Sequence, residues 1–214
     1  MKKIELTDPH RKKHFEFFSR MDQPHLSICA NVEIQHLLAF IKKEKLSFTP
    51  TLVYLVTRVA NELPRFRQRI RATEVVEHEL VHPSFTVATA DEEVFSFCTV
   101  DYTRSFHPFQ KRARAEMEAM RTAPSMADES GRDDYLFLSA IPWISFTGVQ
   151  HAMHYHPGDS VPRIVWGKYF VAQDLIKMPL SVQAHHAVVD GVHIGRYFQK
   201  FQKYAHEPHL LLSE

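Results

Sequence analysis

The stretch SVQAHHAVVDG, residues 181–191, decides how this chain is read. An apolar strand, MPLSVQA, runs into two adjacent histidines, His185 and His186, and Asp190 follows four residues beyond the second. Past Gly191, the side chains of Ile194, Tyr197, Phe198, Phe201 and Ala205 recur on one helical face. A strand therefore leads through a polar turn into a helix, and Gly191 is expected to allow the chain a tight turn there. Adjacent strand residues point to opposite faces, so only one of the two rings faces a cleft. Imidazole suits general-base work because its ordinary pKa lies near neutrality, and a nearby carboxylate can fix its geometry. The same spacing also fits a structural strand end followed by an Asp-Gly turn. A zinc site wants three or four ligands in compatible register, and no second cluster accompanies the pair. Spacing alone does not choose among these readings.

Working outward, helices and strands are mixed without strict alternation. In TDPHRKKHFEFFSRM, Thr7 or Asp8 can cap a helix and Pro9 suits its first position. FTPTLVYLVTRVANELPRF repeats that start signal, carries Leu52, Leu55, Val56, Val59, Ala60 and Leu63 at helical spacing, and stops at Pro64. IQHLLAFIKKEK and FHPFQKRARAEMEAMRTA read as two more helices. LSICANVEI alternates as a half-buried strand, and SFTVATADEEVFSFCTV reads as two strands joined by an acidic turn. YLFLSAIPWISFT and PRIVWGKYFVA are further strands, with Trp143 taken as core, and PSMADESGRDD is a polar surface loop. The fold class expected is α+β, two layers, with helices packed on one face of a large mixed sheet.

Length and composition bound the rest. At 214 residues, with six glycines and no Gly/Ser linker, residues 1–214 read as a single domain able to bury its own core. A formal charge of +1 leaves no footprint for nucleic acid or an anionic membrane. MKKIELTDPH lacks the apolar stretch of a signal peptide, and no run approaches the ~18 apolar residues of a membrane span. Cys29 and Cys98 form no spacing pattern and read as reduced, which suits a cytoplasmic protein. Fifteen histidines keep a metal function open; His151, His154 and His156 in HAMHYH read as a solvated run, and no metal is expected.

His-His-x-x-x-Asp-Gly followed by VHIGRYFQKFQKY resembles the signature of the coenzyme-A-dependent acyltransferase superfamily. HRKKHFEFF, PRFRQRI, VHPSFTV, LSAIPWISFT, WGKY and MPLSVQAHH, in this order across essentially the whole chain, resemble the type A chloramphenicol acetyltransferases. That resemblance implies a homotrimer with active sites at subunit interfaces, and acetyl-CoA and chloramphenicol as substrates. It implies His186 as the general base, Ser139 as the oxyanion donor, and a structural Asp190 paired with Arg11. It places Phe17, Phe18, Phe95 and Val165 around the acceptor, and Lys168 and Tyr169 beside coenzyme A. Phe18 stands where many members carry a tyrosine, Val165 where threonine is usual, and Val189 where cysteine is common. Two polar contacts are thereby absent, so a second reading keeps the chemistry with another hydroxylated acceptor. A third, of a different class, is a non-catalytic histidine-rich metal-binding protein.

Overall fold

The computed structural model describes residues 1–90, 93–126, 131–154 and 158–213. In chain order the elements are β1 (Lys2–Ile4), α1 (Pro9–Ser19), β2 (His25–Glu33), α2 (Gln35–Lys43), α3 (Phe48–Asn61), β3 (Gln68–Arg71), β4 (Glu74–Glu77), β5 (His82–Ala88), β6 (Phe95–Thr99), α4 (Phe106–Thr122), β7 (Tyr135–Ile141), β8 (Arg163–Gly167), β9 (Phe170–Ala172), β10 (Leu175–His185) and α5 (Gly191–His206). The main sheet is seven-stranded, ordered β2-β10-β8-β7-β5-β6, with β9 also paired to β10. β5, β7 and β8 run parallel to one another while the other pairs are antiparallel, so the sheet is mixed. The expected α+β architecture is what forms.

β10 is the spine of the sheet. It pairs along its length with β2, from Lys177 opposite Glu33 to His185 opposite His25, and with β8 on its other side. Hydrogen bonding on both edges explains why the strand runs longer than the apolar segment alone indicates. Its last eight residues are all buried, as expected of a strand flanked on both sides. Leu180, Val182 and Ala184 join Leu136, Leu138, Ile164 and Trp166 in the main core. α3 closes that core. Pro50 to Thr57, Val59 and Ala60 are all buried, because α4 and α5 flank the helix as well as the sheet below. Tyr197 of α5 donates its hydroxyl to the Val56 carbonyl at 2.9 Å, so the one polar atom of this buried ring is satisfied.

Several local expectations change. Trp143 is 75% exposed: β7 ends at Ile141 and the following turn carries the indole outward. PRIVWGKYFVA breaks at Lys168 and Tyr169 into β8 and β9, and Gly167 sits there because an added Cβ would meet Pro179 Cγ at 2.7 Å and the Ile144 carbonyl at 2.9 Å. Gly191 has no left-handed φ; it is the first residue of α5. A small sheet, β1-β4-β3, was not expected, its strands being only three or four residues long and rich in charge. Arg69 ties it to the main sheet. This fully buried guanidinium donates to the carbonyls of Phe66, Gln68, Asp133 and Tyr135, and burial pushes its pKa down to about 10. Cys29 and Cys98 are free. Asp91 and Glu92 of the acidic turn, residues 127–130 of the polar loop, and His156 lie outside the described residues. Among those described, no helix is long and apolar enough to cross a membrane.

Candidate active site

The two histidines at the end of β10 diverge. His185 remains in the strand, is 4% exposed, and lies edge-on to His25 with ring centroids 5.1 Å apart. Its Nδ1 accepts from the Ala187 amide at 3.2 Å, and burial pushes its pKa down to about 4. His186 starts the turn and is only half-buried; its amide donates to the Pro24 carbonyl at 2.7 Å. Its ring lies on the ring of Phe18, 3.9 Å away and tilted by only 14°. Its Nδ1 is enclosed and has no hydrogen-bond partner among the described residues.

Helix α1 supplies the wall behind His186. Asp8 caps it, accepting from the Arg11 amide at 2.6 Å, and Pro9 occupies its start. Arg11, His14 and Phe18, three and four residues apart, then share one face. Arg11 Nη2 donates to the Ala187 carbonyl at 2.6 Å, and Arg11 Nη1 donates to His14 Nδ1 at 3.0 Å. The direct Arg11–Asp190 ion pair expected from the family resemblance is not formed. Asp190 instead meets His14 Nε2 at 3.6 Å, because His14 stands between the two charges. Asp190 also starts α5. Its Oδ1 accepts from the Gly191 amide at 2.6 Å, while its own amide donates to His193 Nδ1 at 2.9 Å, a reciprocal cap. Phe17, on the other side of α1, is 61% exposed and edge-on to Phe18.

Ser139 lies elsewhere. It is in register with Val165 of β8, which is in register with Ser181 of β10. His186 is five residues beyond Ser181, so strand rise and two strand spacings place Ser139 and His186 about 19 Å apart within one chain. The Ser139 hydroxyl is 3.2 Å from Thr86 Oγ1. It lines a cavity of about 560 Å³ shared with Phe95, Phe97, His151 and Arg163, a size suited to a small molecule. Val165 is 2% exposed on the same face of the sheet. Burial and the neighbouring Arg163 lower the His151 pKa.

Lys168 and Tyr169 form the break between β8 and β9, both of which lie along β10. The Lys168 amide donates to the Ile144 carbonyl at 2.8 Å, and Ser145 Oγ donates to the Lys168 carbonyl at 2.6 Å, which fixes the break between the strands. The Tyr169 ring lies 6.2 Å from Phe48, at the N-terminus of α3. Beside that helix start is a groove of about 410 Å³ lined by Lys45, Ser47, His107, Gln110, Lys111 and Arg114. Gln110 Nε2 is buried there without a hydrogen-bond partner among the described residues.

The residues singled out from sequence thus fall into three places. Arg11, Phe18, His186 and Asp190 meet at one end of the sheet, with Phe17 at their edge. Ser139 and Val165 lie on the middle strands β7 and β8, Phe95 on the edge strand β6, and Lys168 with Tyr169 at the break between β8 and β9. Sequence reasoning missed His14, although its place three residues after Arg11 and four before Phe18 carries the signal. It also missed the basic groove, whose cations come from separate segments and share no spacing.

A sequence model of the family described as chloramphenicol acetyltransferase matches residues 1–202. A chloramphenicol acetyltransferase of Clostridium perfringens is 32% identical over 213 residues, covering 99% of this chain and 97% of its own length. One from Escherichia coli is 30% identical over 204 residues, covering 95% and 93%. A solved chloramphenicol acetyltransferase matches with a TM-score of 0.85 at 25% identity, covering 95% of this chain and 100% of its own. The fold is shared with a dihydrolipoamide acetyltransferase of Azotobacter vinelandii, at a TM-score of 0.71 and 19% identity, covering 98% and 94%.

Proposed function

This chain belongs to the chloramphenicol acetyltransferase family and is an acetyltransferase, and from that premise we propose how its residues carry the reaction. Acetyl-CoA is the donor and the primary hydroxyl of chloramphenicol the acceptor. His186 takes the hydroxyl proton as the oxygen attacks the thioester carbonyl. The tetrahedral oxyanion accepts a hydrogen bond from the Ser139 hydroxyl. Collapse expels the coenzyme A thiolate, which takes the proton from His186. No acyl-enzyme is needed, since both substrates are held side by side.

The observation that carries this reading is the placement of His186: half-buried at the rim of the sheet, backed by an aromatic ring and reachable from outside, while its neighbour His185 is sealed in. The separation of about 19 Å between His186 and Ser139 means that one chain cannot supply both groups to one substrate. We therefore place each site between two copies in a homotrimer, His186 from one and the Ser139 cavity from the next, with Phe95 and Val165 on the acceptor side. Lys168 and Tyr169 flank coenzyme A. The groove of Lys45, Lys111 and Arg114 lies beside the α3 start, where Phe48 meets the Tyr169 ring, and suits its phosphates. Asp190 and Arg11 hold the catalytic turn. The free cysteines and the donor fit a cytoplasmic enzyme.

The metal-binding alternative gains no support from the geometry, since no group of three or more metal-ligating side chains converges among the described residues. The test is release of free coenzyme A from acetyl-CoA with and without chloramphenicol, using purified protein. Chloramphenicol-dependent release supports the assignment. Folded protein that releases none with chloramphenicol but acetylates another alcohol moves the acceptor and keeps the chemistry; none with any acceptor overturns both.

A further inference from the structure

His14 has no role in the steps above, yet it faces Arg11, Asp190 and the rings of Phe18 and His186. Arg11 always donates, so the 3.0 Å contact from its Nη1 makes His14 Nδ1 an acceptor. The ring proton then sits on Nε2, which faces Asp190 Oδ2 at 3.6 Å. The other arm of Arg11 holds the carbonyl of Ala187, the residue next to His186. The His14 ring lies 4.7 Å from Phe18 and 5.7 Å, edge-on, from His186. Burial and the adjacent Arg11 both lower the His14 pKa, which agrees with a neutral ring in one tautomer. One imidazole thus joins a cation, an anion and the aromatic backing of the base.

We propose that His14 is a positioning residue for acetyl transfer: it bridges Arg11 to Asp190 and braces Phe18 against His186, fixing the angle at which the base meets the acceptor hydroxyl. This rests on His186 acting as the base. A small tilt of a base away from its substrate lowers turnover without altering substrate affinity, and a displacement of about 1 Å costs on the order of 100-fold.

Two substitutions and one spectrum test it. His14→Leu keeps an apolar body and loses both polar contacts; its kcat falls about 10–100-fold with KM for both substrates within about twofold. His14→Gln can accept from Arg11 and donate to Asp190, and it restores kcat to within about fivefold of the parent. Histidine ¹⁵N spectra of the intact protein show His14 as the Nε2–H tautomer. A folded His14→Leu protein with kcat within about twofold of the parent overturns the proposal. So does a folded His14→Gln protein with the full loss, or a spectrum showing a proton on Nδ1. If His14→Leu does not fold, His14→Gln and the spectrum decide. Parent protein that releases no coenzyme A with any acceptor defeats the assigned function, while the ¹⁵N spectrum still decides the tautomer and with it the bridge.

Discussion

The ring of Phe18 lies face to face with the ring of His186, centroids 3.9 Å apart and planes within 14° of parallel. The stack covers one face of the imidazole and restrains its rotation. Removing the base itself, in His186→Ala, should lower kcat about 10²–10⁴-fold. Removing only the backing, in Phe18→Ala, should cost about 3–10-fold, the worth of an aromatic pair beyond its area. Steady-state coenzyme A release measures both, and equal losses would show that Phe18 does more than back the ring.

Ser139 and His186 cannot meet within one chain, so two inactive variants should repair each other. Ser139→Ala should lower kcat about 10²–10³-fold, as loss of an oxyanion donor does. Mixed trimers assembled from His186→Ala and Ser139→Ala chains unfolded and refolded together should regain about a quarter of parental activity, because about one interface in four then pairs an intact base with an intact donor. Activity no higher than that of either variant alone would place both groups in a single chain.

The cations of the Lys45 groove should act on the donor alone. Lys45→Glu or Arg114→Glu is expected to raise KM for acetyl-CoA about tenfold at low salt, with kcat and the acceptor KM unchanged and the defect shrinking as salt rises. Initial-rate measurements at two ionic strengths check it.

Acid should destabilise the fold through two histidines, one buried and one half-buried. Burial pushes His185 down to about 4; burial and the nearby Arg65 do the same to His193. In the unfolded chain both take up protons near the ordinary value of about 6.5. The unfolded state therefore binds more protons below that pH, and the stability each neutral ring contributes is lost as pH falls from about 6.5 through about 4. Because His193 is partly solvated, the combined slope is on the order of 1–2 kcal/mol per pH unit. Urea midpoints across that range measure it, and His193→Asn, which keeps an acceptor for the Asp190 amide, should flatten the curve.

The sheet and its helices were legible because their signals are local. Asp8 and Pro9 start α1, the 3.6-residue spacing marks α3 and α5, and the alternation of residues 26–34 marks β2. The turn after β10 was legible in part: alternation says that only one of the two rings faces a cleft, while the choice of His186 comes from the family resemblance. What was hidden depends on distance in space. Strands of three or four residues with two charges each, such as β3, carry no periodicity, and Arg69 ties their sheet to the main one through the carbonyls of Asp133 and Tyr135. Trp143 reads as core by hydrophobicity, but the end of β7 decides its exposure. The Arg11–Asp190 contact, taken from resemblance, omits the imidazole between them, whose position only the packing of α1 against the turn determines.

The wide gap between Ser139 and His186 also bears on how the enzyme behaves when newly made or very dilute. Under the proposed shared site, a lone copy holds a proton acceptor with no facing cavity and a cavity with no proton acceptor. It would be silent toward the thioester and would spare the cell's donor pool until neighbours arrive. Turnover per chain should then rise with concentration before levelling off, so that assembly itself is the on-switch.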